Sequence, residues 1–307
     1  MMFMGRDVIS ILDFSRDELL RLFDVAREME KYRSSRIDVL SDKILALLFF
    51  EPSTRTMFSF QTAMFRLGGE CLVFSNVAGT SIAKGETIGD TIRMIDGYAD
   101  GIVIRHRIEG AAEYAAEIAE APVINAGDGS HHHPTQAMID LYTIWKARGR
   151  LEGFDVGVLG DLKYGRAATS FIFGIALFKP RTLYLISPEE LRVRPEVREV
   201  LDRMGINYVE ESDLSSVLGE LDILYVTRIQ KERFPDPAEY ERVRGSYRIN
   251  SGLLGGVRDD FMILHPLPRV DEISVDVDST KYAYYFVQAR NGIPIRMALL
   301  KLILGGD

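Results

Sequence analysis

Hydrophobic residues along this chain gather in short unbroken runs, and between the runs they recur at every third or fourth position. The first pattern suits strands buried on both faces of a parallel sheet, the second helices with one apolar face. Residues 43–50 are almost wholly apolar and form the clearest strand. Behind them Met57, Phe60, Met64 and Leu67 take helical spacing, with Gly68 and Gly69 as a stop. Ahead of them Ser15 offers a cap and Asp17 and Glu18 an acidic first turn, and Leu19, Leu22, Phe23 and Ala26 carry a helix to about Glu30.

The alternation continues. Strands are expected at 71–74, 101–104 and 122–124, and helices at 86–98, 110–120 and from about 134 to 148, with 76–85 a polar, mobile loop and 125–130 a turn. The second half repeats the pattern, with strands at 155–159, 182–186, 206–209, 222–226 and 261–264 and helices near 165–178, 189–204, 213–219 and 237–244. A last apolar helix at about 294–304 could pack on either half. Short buried strands alternating with helices predict an α/β fold of two domains, each a parallel β-sheet flanked by helices. A length of 307 residues supports two cores, and the glycine-bearing stretch 149–153 marks the boundary.

Composition narrows the function classes. With 47% hydrophobic and 27% charged residues the chain is ordinary globular material, and no apolar run is long enough for a membrane span. Cys71, the one cysteine, cannot form an internal disulfide, and the N-terminus lacks the basic-then-apolar order of a signal peptide, so a reducing cytoplasm is expected. A net charge of −8 argues against a general nucleic-acid binder; a small anion is the expected partner, held at local basic turns.

Glu51-Pro52-Ser53-Thr54-Arg55-Thr56 joins the clearest strand to its helix. Such a turn leaves backbone N–H groups at the positive end of the helix dipole, with hydroxyls and a guanidinium beside them, which makes a phosphate cradle. Ser53 or Thr54 could instead be a plain helix cap. Arg55, between two threonines at the mouth of a buried strand, favours the anion. Lys84, Arg105, His133 and Gln136 also fall at strand ends or adjoining loops, and together they suit a compact phosphate bearing a polarisable carbonyl. His131, His132 and His133 are adjacent in a loop with no familiar ligand spacing, so no metal is expected, and His133, directly before Pro134 at a helix start, is the functional candidate. The segment 157–166 lacks the G-x-G-x-x-G of a dinucleotide loop. Arg166 and the run 228–233 offer forks for carboxylates or are solvated surface, and 265–269 is a stiff loop able to fix backbone carbonyls or to do nothing for a ligand.

These motifs, in this order, resemble the aspartate/ornithine carbamoyltransferase family, on its aspartate branch: Phe50 to Thr56, Lys84-Gly85-Glu86, Ile104-Arg105-His106, Gly127-Asp128-Gly129 with His133-Pro134-Thr135-Gln136, Asp161 to Arg166, Thr227 to Arg233 and His265 to Asp271. The resemblance implies transfer of the carbamoyl group of carbamoyl phosphate to L-aspartate, giving N-carbamoyl-L-aspartate and phosphate on the way to pyrimidines, without cofactor or metal. It implies a carbamoyl-phosphate domain at 1–149, joined by the helix at about 290–307, and an aspartate domain at 150–289. Ser53, Thr54, Arg55, Thr56 and Arg105 would hold the phosphate, and Thr56, Arg105 and His133 would polarise the carbonyl. Gln136 and the carbonyls of Pro266 and Leu267 would hold the carbamoyl nitrogen, and Arg166, Arg228 and Gln230 the aspartate carboxylates. Ser81 and Lys84 would enter a neighbouring subunit's site, making a homotrimer; Lys84 would serve both substrates, and separate regulatory chains stay open. Glu51 with Arg166 and Arg233 would form the ion pairs of domain closure.

Four departures accompany the match. Met57 replaces a common arginine and Gln61 a common glutamate, at i, i+4 on one helix, which amounts to a dropped ion pair of a few tenths of a kcal/mol. Arg107 replaces a proline and adds charge beside Arg105, and Ala167-Ala168-Thr169 replaces the usual Thr-Val-His. The ornithine branch usually carries His-Cys-Leu-Pro where this chain has His265-Pro266-Leu267-Pro268, and ornithine would need an anion for its distal amine. A non-catalytic sensor of carbamoyl phosphate would be expected to lose some of Arg55, Lys84, Arg105, His133 and Gln136.

Overall fold

The computed structural model describes residues 3–74, 84–231, 234 and 236–305. The chain divides into two compact units, Met1–Met138 with Asn291–Asp307, and Ile139–Arg290.

In the first unit α1 (Arg16–Met29) begins with the expected cap: the Ser15 hydroxyl accepts from Glu18 N, and Glu18 Oε2 accepts from Ser15 N at 2.7 Å. Then come β1 (Ile44–Phe49), α2 (Thr54–Arg66), β2 (Glu70–Phe74), α3 (Ile88–Asp96), β3 (Gly101–His106), α4 (Ala111–Ile118) and β4 (Val123–Asp128). All pairings in the sheet are parallel and its order is β2-β1-β3-β4. β1 and β3 are central, and Leu45 to Phe49 and Ile102 to Ile104 are buried, as their unbroken apolar runs require. Residues 76–83 of the expected loop lie outside the described residues.

β4 runs to Asp128, across residues expected to form a turn. Their polarity misleads because it is satisfied internally: Asn125 Nδ2 donates to Ile9 O at 3.0 Å and to Asp128 Oδ1 at 2.8 Å, and Asn125 Oδ1 accepts from Gly127 N at 2.8 Å.

α5 (Pro134–Arg148) leads into the second unit, which holds β5 (Asp155–Leu159), α6 (Arg166–Ala176), β6 (Thr182–Ile186), α7 (Pro195–Arg203), β7 (Tyr208–Glu211), β8 (Ile223–Val226), α8 (Pro237–Val243) and β9 (Met262–Leu264). This sheet is also parallel, in the order β7-β6-β5-β8-β9. β7 sits two residues beyond its expected place. The helix expected at 189–204 is broken: a 3-10 turn covers Glu189–Leu191, and Pro195 holds Arg194 at ψ 152° before α7 begins. Only a 3-10 turn, Leu214–Ser216, fills the helix expected at 213–219.

α9 (Tyr285–Leu300) starts well before the expected Pro294, which lies inside it, and a π turn follows over Lys301–Gly305. Proline is a common first residue of a helix, so its interior position is not visible in sequence. The C-terminal part packs on the first unit: Gly5 N donates to Ile303 O at 3.0 Å, and Arg296 Nη1 donates to Ser59 Oγ at 2.7 Å with its guanidinium 4.7 Å from the Phe60 ring centre.

Candidate active site

Strand order sets the place. From β1 the chain steps to β2 on one side, then crosses to β3 on the other, so the carboxyl ends of β1 and β3 form a topological switch point, where open α/β sheets bind ligands. Ser53 to Thr56 leave β1 there, and Arg105 lies next to the end of β3, with Phe50 N donating to Arg105 O at 2.9 Å.

Ser53 is the N-cap of α2, and its side chain makes no capping hydrogen bond. Thr54 and Arg55 are exposed in the first turn and Thr56 is buried. The first turn's N–H groups have no acceptors inside their helix. Arg105 is held from two sides: Nη1 donates to Ala126 O at 3.2 Å and Nη2 to Glu51 Oε1 at 3.3 Å. Glu51 was expected in closure pairs; within the first unit it pairs with Arg105. Lys84 is exposed; Ser81 and Arg233 lie outside the described residues.

His133 is buried directly before α5, and Gln136 is half-buried in its first turn. The turn before His133 is built on Asp128, whose side chain the sequence reading did not single out. Its Oδ1 accepts from Asn125 Nδ2 and His132 N (3.1 Å), and its Oδ2 from Gly110 N (2.8 Å), with His131 Nδ1 at 3.3 Å. Burial alone would raise this carboxyl; the donors from His131, Asn125 and Gly110 hold it below the ordinary value. Among the described residues no group of three His, Cys, Asp or Glu side chains could hold a metal. Arg107 is exposed, and beside it His106 is held below its ordinary pKa, by burial first and then by the Arg107 charge.

In the second unit the switch point lies between β5 and β8. Gly160 follows β5 at φ +122°, and a Cβ there would stand 2.2 Å from Thr227 O, so only glycine lets the two strand ends approach this closely. A pocket opens here, lined by Gly160, Thr227, Tyr240, Ser246, Asp271 and Glu272 among others. Arg166 is the first residue of α6 and is 6% exposed, and Arg228 and Gln230 follow β8, half-buried. Asp161 shapes the turn between β5 and α6: its Oδ1 accepts from Lys163 N at 3.2 Å and Tyr164 N at 2.8 Å. Burial pushes its pKa up to about 6.

After β9 the loop 265–272 folds on two buried side chains. The His265 ring is bonded at both nitrogens, accepting from Leu267 N at Nδ1 (2.8 Å) and meeting Glu272 Oε1 at Nε2 (2.6 Å). Glu272 Oε2 accepts from Val270 N and Asp271 N. Pro266 and Leu267 are half-buried, Leu267 has φ +56°, and the Leu267–Pro268 peptide is cis. Asp128, Asp161 and Glu272 share one sequence signal, an acid a few residues from N–H groups that need an acceptor in a tight turn.

The chain belongs to the aspartate/ornithine carbamoyltransferase family. The carbamoyl-P binding domain of that family matches residues 6–146, and its Asp/Orn binding domain matches residues 152–303. Among its relatives, the aspartate carbamoyltransferase catalytic subunit of Hyperthermus butylicus is 63% identical, covering 99% of this chain and 97% of the relative. That of Korarchaeum cryptofilum is 60% identical over 98% of both chains. Aspartate transcarbamoylase of Trypanosoma cruzi, solved with N-(phosphonacetyl)-L-aspartic acid, superposes with a TM-score of 0.94 at 36% identity, covering 99% of this chain and 97% of that one. The catalytic subunit of M. jannaschii aspartate transcarbamoylase gives a TM-score of 0.87 at 49% identity, covering 97% of each chain.

Proposed function

We propose that this chain is the catalytic chain of an aspartate carbamoyltransferase, transferring the carbamoyl group of carbamoyl phosphate to the amine of L-aspartate. The observation that carries the reading is the Ser53-to-Thr56 turn beside Arg105 at a switch point, in a chain matched over both halves by the family. The aspartate branch is favoured by Pro266, where ornithine enzymes usually carry cysteine, and by Arg166 and Arg228, which suit two carboxylates.

In this reading Ser53, Thr54, Arg55 and Thr56 hold the phosphate with Arg105, and Ser81 and Lys84 of a neighbouring subunit complete its shell in a homotrimer. Thr56, Arg105 and His133 donate to the carbamoyl oxygen. Gln136 and the carbonyls of Pro266 and Leu267 take the carbamoyl N–H groups, and Arg166, Arg228 and Gln230 grip aspartate, with Lys84 assisting. The amine attacks the carbonyl carbon, charge grows on the oxygen, the C–O bond to phosphate breaks, and the departing phosphate takes the amine's proton. Fixed cations and hydroxyls aimed at the growing charge supply the rate, together with orientation of the two reactants. Glu51, Arg166 and Arg233 serve closure on the substrates. The product, N-carbamoyl-L-aspartate, feeds pyrimidine synthesis in the cytoplasm.

Calorimetric titration with N-(phosphonacetyl)-L-aspartate tests this assignment. Tight binding is expected, weakened roughly 30-fold or more by Arg228→Ala, since removing one partner of a charged pair costs about 2 kcal/mol or more. Absence of binding, or binding indifferent to Arg228, would contradict it.

A further inference from the structure

We propose that His265 is a positioning residue that aims the Pro266 carbonyl and so makes the site selective for a carbamoyl over an acetyl group; the inference rests on the function proposed above. The ring's proton is placed by its neighbours. Nδ1 accepts from Leu267 N–H at 2.8 Å, so it is unprotonated, and the single ring proton sits on Nε2, donated to Glu272 Oε1 at 2.6 Å. Burial, which leaves His265 2% exposed, favours this neutral ring. Glu272 is fixed in turn by Val270 N and Asp271 N, and the His265 backbone N–H is fixed by Gln288 Oε1 at 2.8 Å.

The consequence follows from peptide geometry. The Pro266 carbonyl and the Leu267 N–H belong to one planar peptide unit, and in a trans unit they point in opposite directions. This unit is trans, the cis bond being the next one along. Pinning Leu267 N–H inward on the buried imidazole therefore turns the Pro266 carbonyl outward, away from the ring. An outward carbonyl accepts from an NH2 group and offers nothing to a methyl. Carbamoyl phosphate and acetyl phosphate differ by that replacement alone.

Two substitutions separate the halves of the imidazole. In His265→Asn the amide oxygen stands in for Nδ1 and keeps the Leu267 bond, whereas in His265→Gln the amide nitrogen stands in for Nε2 and keeps the Glu272 bond. Carbamoyl phosphate and acetyl phosphate are titrated into the wild-type protein and both variants. Asn should bind carbamoyl phosphate within about 2-fold of wild type; Gln should weaken it roughly 3- to 10-fold, the worth of one hydrogen bond, and leave acetyl phosphate within about 2-fold. Equal weakening of both ligands in Gln, or no weakening, would overturn the inference. If His265→Gln does not fold, His265→Asn decides: wild-type affinity for carbamoyl phosphate supports the positioning role, and a selective loss overturns it. A wild-type protein that binds neither ligand would instead overturn the proposed function.

Discussion

Arg105 Nη2 donates to Glu51 Oε1 at 3.3 Å, tying the turn after β1 to the residue near the end of β3 across the first unit's switch point. The pair is mostly buried, at 12% and 22% side-chain exposure, so the carboxylate both orients the guanidinium and offsets part of its charge. Glu51→Gln keeps the shape and removes the charge. Inorganic phosphate should then bind about 2- to 5-fold more tightly at low salt, since a partly screened charge this close is worth about 0.5–1 kcal/mol. Weaker binding in a titration would show that orientation outweighs charge.

Asp161 links stability to pH. Its folded pKa is raised by burial from 3.8 to about 6, so between these values the folded chain holds a proton that the unfolded chain has released. Stability therefore falls as pH rises from about 4 through 6, and above that range the ionised carboxylate costs about 3 kcal/mol. Urea unfolding of wild type and Asp161→Asn across pH 4–8 should give a difference that grows with pH in the variant's favour and then levels. A flat difference would show that the turn's N–H donors cancel the burial cost.

The amino ends of β5 and β8 are joined by a buried acidic pair with two arginines. Asp222 Oδ2 accepts from Asp155 N at 2.9 Å, Arg258 Nη1 reaches Asp222 Oδ1 at 2.5 Å, and Arg181 Nη1 reaches Asp155 Oδ2 at 3.1 Å. Asp222→Ala strands the buried Asp155 N–H and takes a carboxylate partner from Arg258 and Arg181, so it should cost about 2–4 kcal/mol in chemical denaturation. Asp222→Asn, which keeps an acceptor for Asp155 N, should cost less. Equal losses would mean that the ion pairs rather than the backbone bond carry the stability.

Much of this was legible in sequence where local pattern and tertiary demand agree. The run ending at Phe50 reads as a buried strand because both its faces are covered, and the turn after it reads as an anion site because strand, hydroxyls and helix start occur in that order. What stayed hidden depends on partners distant in sequence. Nothing local pairs Glu51 with Arg105, or shows that Asn125 finds its partner in Ile9 O from inside a strand. The division between Met138 and Ile139 falls within α5, where the helical pattern continues unbroken, and Pro294 lies inside α9 where it suggests a start. The glycine-bearing link at 149–153 directly follows α5, where the match to the first family domain has ended and that to the second begins.

The most direct measurement of the central claim is steady-state turnover at saturating carbamoyl phosphate, comparing L-aspartate with L-ornithine for the wild-type protein and for Arg228→Ala. Formation of N-carbamoyl-L-aspartate, falling at least about 30-fold in kcat/KM when the guanidinium is lost, is the predicted result. Carbamoylation of ornithine alone would contradict the aspartate assignment, and turnover of neither amine, with carbamoyl phosphate still bound, would contradict catalysis by this chain on its own.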